Sequence, residues 1–217
     1  FGKGSEKYAM HVKGQELPMH EPRGKRSLLY AYSLSPTGAD HMEAPHDVVY
    51  ELASADENHA LSPLGLMESI DTLDMGAKKV RAFFYAKILD DFYNTIGMCA
   101  FVGAPIGPLT ITKFVEYIRA VTGWDTSLWE LMKSGERANT MMRIFNNREG
   151  FTKADDTLPD RIFEGLENGI LKGMTVDKDE FEKMKTLYYL MAGWDENGYP
   201  THAKLVELDL EWIEDIS

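Results

Sequence analysis

Apolar residues in this chain recur at helical spacing in four long stretches, and glycine- and proline-rich breaks separate them. The clearest stretch runs from about 74 to 96, where Val80, Phe83, Phe84, Ile88, Leu89, Phe92 and Ile96 follow at steps of three, four or one. Such a face is a core face. The stretch stops at Gly97, the residue type best able to take a positive φ past a helix end. A second helix carries Phe114, Ile118 and Val121 on one side and closes at Gly123. A third, from about 126 to 145, carries Leu128, Leu131, Met132, Met142 and Phe145. The fourth takes Asp177 or Asp179 as its cap and lines up Phe181, Met184, Leu187, Tyr188 and Met191. After it, Asp195-Glu196-Asn197-Gly198 reads as a turn before a short terminal helix.

The intervening segments read as loops. Residues 1–36 carry Gly14, Pro18, Pro22, Gly24 and Pro36, so they are expected to be irregular apart from a helical turn near 5–10. Residues 48–63 form a polar connection, 102–108 a breaker-rich loop and 146–161 a long polar loop. Period-two alternation is rare and β-branched runs are scarce. The expected fold class is therefore all-α, an irregular multi-helix domain without internal repeats.

Composition narrows the function. The 217 residues are 44% hydrophobic, ample for a core in one large domain or two small ones. Lys plus Arg total 23 against 35 Asp plus Glu, a formal charge of −12, the wrong sign for attraction to phosphate backbones. Nucleic acid is not an expected partner. A single cysteine closes no intramolecular disulfide, so a reducing cytoplasm is the default. No apolar run approaches the roughly 20 residues that span a bilayer, and no signal peptide opens the chain, so a soluble intracellular protein is expected. The chain opens on Phe1 rather than methionine, which suggests a fragment, a processed subunit or the ordered part of something larger.

Candidate chemistry gathers in three places. Cys99, the only cysteine, follows the long helix past Gly97. Taken alone, such a residue reads as a small buried hydrophobe; at a helix end it also suits the edge of a cofactor pocket. Residues 37–47 put His41, His46, Asp40, Glu43 and Asp47 into eleven positions. The Glu43-x-x-His46 spacing is a metal-pair pattern only on a helix, which Pro45 disfavours, so His41 as a general acid or base is the better reading. His11, Lys13, Glu16, His20, Glu21, Arg23, Lys25 and Arg26 cluster within 1–36, either as a solvated loop or as one that lays cations against an anionic ligand.

Several stretches together resemble the C-terminal part of the aldehyde ferredoxin oxidoreductase family, enzymes with tungsten or molybdenum in a bis-pyranopterin cofactor beside a [4Fe-4S] cluster. The resemblance covers nearly the whole chain. It rests on Gly2-Lys3-Gly4, Ala9-Met10-His11-Val12-Lys13-Gly14-Gln15-Glu16, Pro22-Arg23-Gly24, Thr122-Gly123-Trp124 and Gly135-Glu136-Arg137. It extends through Arg143-Ile144-Phe145-Asn146-Asn147-Arg148-Glu149-Gly150, Asp155-Asp156-Thr157-Leu158-Pro159-Asp160-Arg161 and Gly193-Trp194-Asp195-Glu196-Asn197-Gly198-Tyr199-Pro200-Thr201. The family's D-x-x-G-L-C motif, which meets the pterin and supplies the cluster's fourth cysteine, is matched by Asn94-Thr95-Ile96-Gly97-Met98-Cys99. Asn94 stands where the family has aspartate; it keeps a carbonyl acceptor, loses the charge and adds donors.

The resemblance implies that Cys99 is a cluster ligand and that Asn94, Gly97 and Met98 meet the pterin. It also implies that Asp40-His41 lies near the metal, with His41 moving a proton, and that Lys13, Glu16 and Arg23 line the same pocket. Glu21-Pro22-Arg23 replaces the Asp-Pro-Arg common in relatives. The upstream C-x-x-C-x-x-x-C segment and the N-terminal β domain of the family are absent from these 217 residues, so the chain reads throughout as a C-terminal helical region. The implied activity of the intact protein is oxidation of an aldehyde to a carboxylic acid, with electrons leaving through [4Fe-4S] to ferredoxin or another electron-transfer protein. A homodimer is compatible with it. The alternatives are another low-potential reduction such as aryl-CoA dearomatisation, or a non-catalytic helical fragment or interaction subunit.

Overall fold

The computed structural model describes residues 1–51 and 60–216. In chain order a two-residue hairpin, β1 His11–Val12 and β2 Gln15–Glu16, precedes the helices α1 Ser27–Leu34, α2 Val48–Glu51, α3 Ala77–Thr95, α4 Ile111–Thr122, α5 Leu128–Arg148, α6 Lys178–Ala192 and α7 His202–Glu207. The fold is all-α, as the spacing predicts. The hairpin pairs His11 with Glu16 and Val12 with Gln15 around Lys13 and Gly14, both at positive φ.

Helix α3 is the axis of the fold. Val80, Phe83, Phe84 and Ile88 enter one core shared with α1 and α6. Ala82, Ala86, Leu89, Phe92 and Tyr93 enter a second, shared with Phe114 and Ile118 of α4 and Leu131 of α5. A helix packed on both sides also buries its polar positions, here Lys79, Lys87, Asp90 and Asp91. Buried charge is tolerable only when paired. Lys79 accordingly pairs with Asp47, and Lys87 reaches Glu43 at 2.7 Å and Asp91 at 3.0 Å. Helix α5 crosses α3 at Gly135, where a Cβ would lie 2.1 Å from the Ile88 carbonyl oxygen. That is why the close crossing needs glycine.

The expected helix end at Gly123 and cap at Asp177 are found, and further caps join them. Gly123 and Gly193 end α4 and α6 in the left-handed conformation, and the Asp177 carboxylate caps α6 by accepting from the Glu180 N–H at 2.8 Å. Ser127 and Glu130 close a capping box at the start of α5. Asp195 holds the predicted turn, accepting from the Asn197 and Tyr199 N–H groups at 2.9 Å each, before α7.

Three expectations about loops are corrected. Residues 1–36 are not irregular throughout: α1 runs Ser27–Leu34 with every residue buried. A helix apolar all round leaves no stripe for periodicity to detect. Its first turn is capped from outside, by the Asp47 carboxylate accepting the Ser27 N–H at 2.9 Å. The turn near 5–10 is a single 3₁₀ turn, Glu6–Tyr8. The connection at 48–63 opens with the helical turn α2, and its residues 52–59 lie outside the described ones. Helix α5 also continues to Arg148, into the start of the expected loop.

Candidate functional site

The end of α3 is shaped by its own backbone. Gly97 takes φ 71°, its N–H donates to the Asn94 carbonyl at 3.1 Å, and the Met98 N–H donates to the Tyr93 carbonyl at 2.9 Å. This paired closure turns the chain outward. Asn94, Gly97 and Cys99 are exposed and Met98 is half-buried. The lone cysteine is thus not the buried hydrophobe its residue type suggests; it is a free thiol on the surface, because the left-handed turn aims the next residues away from the core. Tyr93 then anchors the following loop by donating from its hydroxyl to the Ala104 carbonyl at 3.0 Å.

That loop borders a cavity of about 500 Å³. Ala100, Phe101, Pro105 and Ile106 form one wall, Val48 and Val49 of α2 contribute apolar surface, and Asp90 of α3 and the imidazoles of His20, His41 and His46 supply the polar groups. The histidines are neighbours in space although they come from separated loop positions. Ring centroids are 4.7 Å apart for His20 and His41, 4.6 Å for His20 and His46, and 5.7 Å for His41 and His46. Their nearest ring nitrogens all lie within 4.8 Å of one another, a spacing suited to a shared proton, an oxyanion or a metal ion.

The electrostatics favour the neutral form of two of these rings, His20 and His46. Partial burial, then the neighbouring His41 and Lys25, hold His20 below the ordinary histidine value. Burial, then Lys25, His20 and His41, do the same to His46, whose Nδ1 lies 3.3 Å from the Lys25 ammonium. Asp90 is displaced the other way. Burial, reinforced by Asp91 and Glu43 and opposed by Lys87, pushes its carboxyl well above the usual carboxylate range. Among the described residues, no hydrogen bond reaches that carboxyl.

The other residues singled out by sequence are placed differently. Glu43 and His46 do not pair, since Glu43 is turned to Lys87 and no helix spans the two. Asp40 accepts from the Met42 N–H at 2.8 Å, shaping the turn that carries His41. Lys13 is buried against Asp156 at 2.8 Å and donates to the Ser33 and Ser35 carbonyls at 2.6 and 3.0 Å. Arg23 is buried too, with donors on Glu21 and on the carbonyls of Arg161, Ile162 and Glu164. These two cations are therefore paired within the chain rather than solvated. Glu16 is exposed on β2. A larger cavity of about 750 Å³, bordered by Lys13, Asp155 and Arg161, includes neither Cys99 nor the histidine cluster.

Two residues of the cavity escaped the sequence reading. His20 stood among many charges in a loop, and only folding brings it to His41. Asp90 had a signal: a pair of carboxylates, Asp90-Asp91, inside an otherwise apolar helical run.

Comparison with known proteins adds to this geometry. The family described as aldehyde ferredoxin oxidoreductase, domains 2 & 3, matches residues 1–210. The tungsten-containing aldehyde ferredoxin oxidoreductase of Pyrococcus abyssi (strain GE5 / Orsay) is 30% identical over 208 residues, 94% of this chain and 31% of that protein. The aliphatic sulfonate oxidoreductase, WOR-like subunit, of Pyrococcus furiosus is 25% identical over 213 residues, 94% of this chain and 28% of its own length. The chain thus spans about a third of the length of the curated relatives it matches. Among solved structures, the active site complex BamBC of benzoyl coenzyme A reductase has the same fold over 99% of this chain and 35% of its own, with a TM-score of 0.67 at 19% identity.

Proposed function

This chain belongs to the aldehyde ferredoxin oxidoreductase family, and we propose that it forms the helical, C-terminal side of the active site in a tungsten- or molybdenum-pterin enzyme. That enzyme oxidises aldehydes to carboxylic acids and passes the electrons through a [4Fe-4S] cluster to ferredoxin or another electron-transfer protein. One observation carries the reading: the segment that leaves α3 through Cys99 continues directly into the wall of the cavity that holds His41.

The residues suit the cofactors they would meet. A cubane cluster takes cysteine thiolates, and Cys99 is an exposed free thiol. One thiol holds one iron, so the remaining ligands come from outside these 217 residues. Asn94, exposed one turn before Cys99, offers a carbonyl acceptor and two amide donors to a pterin ring, and Gly97 and Met98 complete that surface. Ile96, Phe101, Val102 and Ile106, exposed beside Cys99, are the apolar surface on which the rest of the protein would close. Glu16 is free to meet the cofactor, whereas Lys13, Arg23 and Asp40 serve it by fixing the segments that face it. When bound, the pterin-held metal supplies oxygen-atom transfer and two-electron chemistry, and the cluster supplies an outlet for the electrons.

The chain's own part is to bind the aldehyde and manage protons. Converting an aldehyde and water to a carboxylic acid releases two protons with two electrons. His41 takes one of those protons at a ring nitrogen, and His20 and His46, held neutral beside it, are ready to carry it onward. The test is aldehyde-dependent reduction of a viologen dye by the intact, metal-replete protein. His41→Gln is expected to lower kcat by about a hundredfold with iron and tungsten or molybdenum content unchanged. Failure of the metal-replete wild type to oxidise any aldehyde would overturn the reading.

A further inference from the structure

Asp90 has no evident role in holding the fold. It is 5% exposed, lines the histidine cavity, and among the described residues receives no hydrogen bond. The nearby ammonium of Lys87 is already shared between Glu43 and Asp91. A third carboxylate placed against those two would be repelled, whereas a carboxyl that keeps its proton is neutral and has an O–H to donate. Its surroundings in the cavity complement such a donor. Val48, Val49, Phe101, Pro105 and Ile106 offer apolar surface for a hydrocarbon body, and the imidazoles of His20, His41 and His46 offer N–H groups, with the Lys25 ammonium behind His46.

We propose that this cavity is a proton-linked binding site for the carboxylate of a small apolar acid, with Asp90 as the acid that donates to it and His20, His41 and His46 completing the cradle. The identification of that ligand as the product acid rests on the aldehyde-oxidation reading; the binding chemistry rests on the cavity alone.

The linkage has a definite sign. With Asp90 protonated, the O–H···O⁻ bond between acid and carboxylate is of the strong, charge-assisted kind. With Asp90 ionised, two carboxylates face each other and the ligand leaves. The groups that set its proton affinity are Asp91 and Lys87 on α3 and Glu43 from the loop at 37–47, with the Tyr50 ring of α2 nearby. Burial and the two carboxylates favour the protonated form, and Lys87 opposes them. His20 and His46, already below the ordinary histidine value, change little above neutral pH, so loss of affinity on raising the pH is assigned to Asp90. In the working enzyme this would expel the product as the pocket loses its proton.

Benzoate is the probe, and calorimetric titration of the intact protein over a range of pH is the experiment. Affinity should fall as pH rises, by at most about tenfold per pH unit for one linked proton. Asp90→Asn retains a donor and should bind within about threefold of the wild type at acid pH while losing the pH slope. Asp90→Leu should bind about tenfold or more weakly. Infrared difference spectra with and without ¹³C-labelled benzoate provide a readout independent of affinity: the C=O stretch of a protonated carboxyl should shift on binding in the wild type, and it should be missing in Asp90→Asn. A pH-independent affinity, wild-type binding by Asp90→Leu, or no perturbed carboxyl band would overturn the proposal. Benzoate binding with these signatures in a protein inert toward aldehydes would sink only the oxidation reading, and turnover of aldehydes without them would sink only this one.

Discussion

His20, His41 and His46 are the residues whose behaviour reports most directly on the site. Each of the outer two is held down by burial and then by charged neighbours, His41 among them. Removing one imidazole removes a like charge, so His41→Asn should move the NMR titration midpoints of His20 and His46 upward, toward the ordinary value near 6.5. Unchanged midpoints would mean that the rings do not sense one another. The folding linkage follows from the same depression. The stability that His20 and His46 contribute is present above the ordinary histidine value and is lost as pH falls, because the unfolded chain takes up the proton first. Asp91 acts oppositely: burial pushes its carboxyl up to about 6, so its contribution is present at low pH and is lost as pH rises through about 6.

At the scale of elements, α3 carries both core and site. Its apolar positions build two cores, its acidic pair meets the cavity and the Lys87 network, and its C-terminal turn presents Cys99. The crossing with α5 sets where these features lie, and Gly135 sets that crossing. Gly135→Ala should therefore cost about 3 kcal/mol, read as a lower midpoint in chemical denaturation. The added methyl meets backbone rather than a movable side chain, so the two helices must part. A stability equal to wild type would show that α3 and α5 are not so closely apposed.

Across the whole molecule, four of the stretches that carry the family resemblance meet at one buried carboxylate, directly or through Arg143. Asp156 pairs with Lys13 from the hairpin at 2.8 Å and with Arg143 of α5 at 2.6 Å, and accepts the Tyr189 hydroxyl from α6. Lys185 donates to its backbone carbonyl at 2.8 Å. Arg143 further donates to the Gly198 carbonyl at 2.6 Å and lies 4.8 Å from the Trp194 ring centroid, tying the turn after α6 to α5. A lone buried cation is costly, so Asp156→Ala should destabilise the protein by about 3–5 kcal/mol. A change near zero in thermal and chemical unfolding would show that solvent reaches Lys13 and Arg143. This network ties the hairpin, α5, α6 and the turn that follows α6 to one another.

The all-α class, the amphipathic helices with several of their caps, the helix end at Gly97 and the family are legible along the chain, because each depends on neighbours within a few positions or on an ordered set of motifs. Tertiary structure alone decided the rest. Helix α1 was invisible to periodicity because it is buried on every side, and its cap, Asp47, lies 20 residues away. Lys13 and Arg23 carry charges that a sequence reading leaves in loops, and their partners, Asp156 and the carbonyls of 161–164, come from far along the chain. His20 joins His41 and His46, and Asp90 faces their cavity, only once α3 is packed beneath the loop that carries them. Local patterns fix what each segment becomes; which charges end up buried together, and so which can bind a ligand or move a proton, is settled by long-range packing.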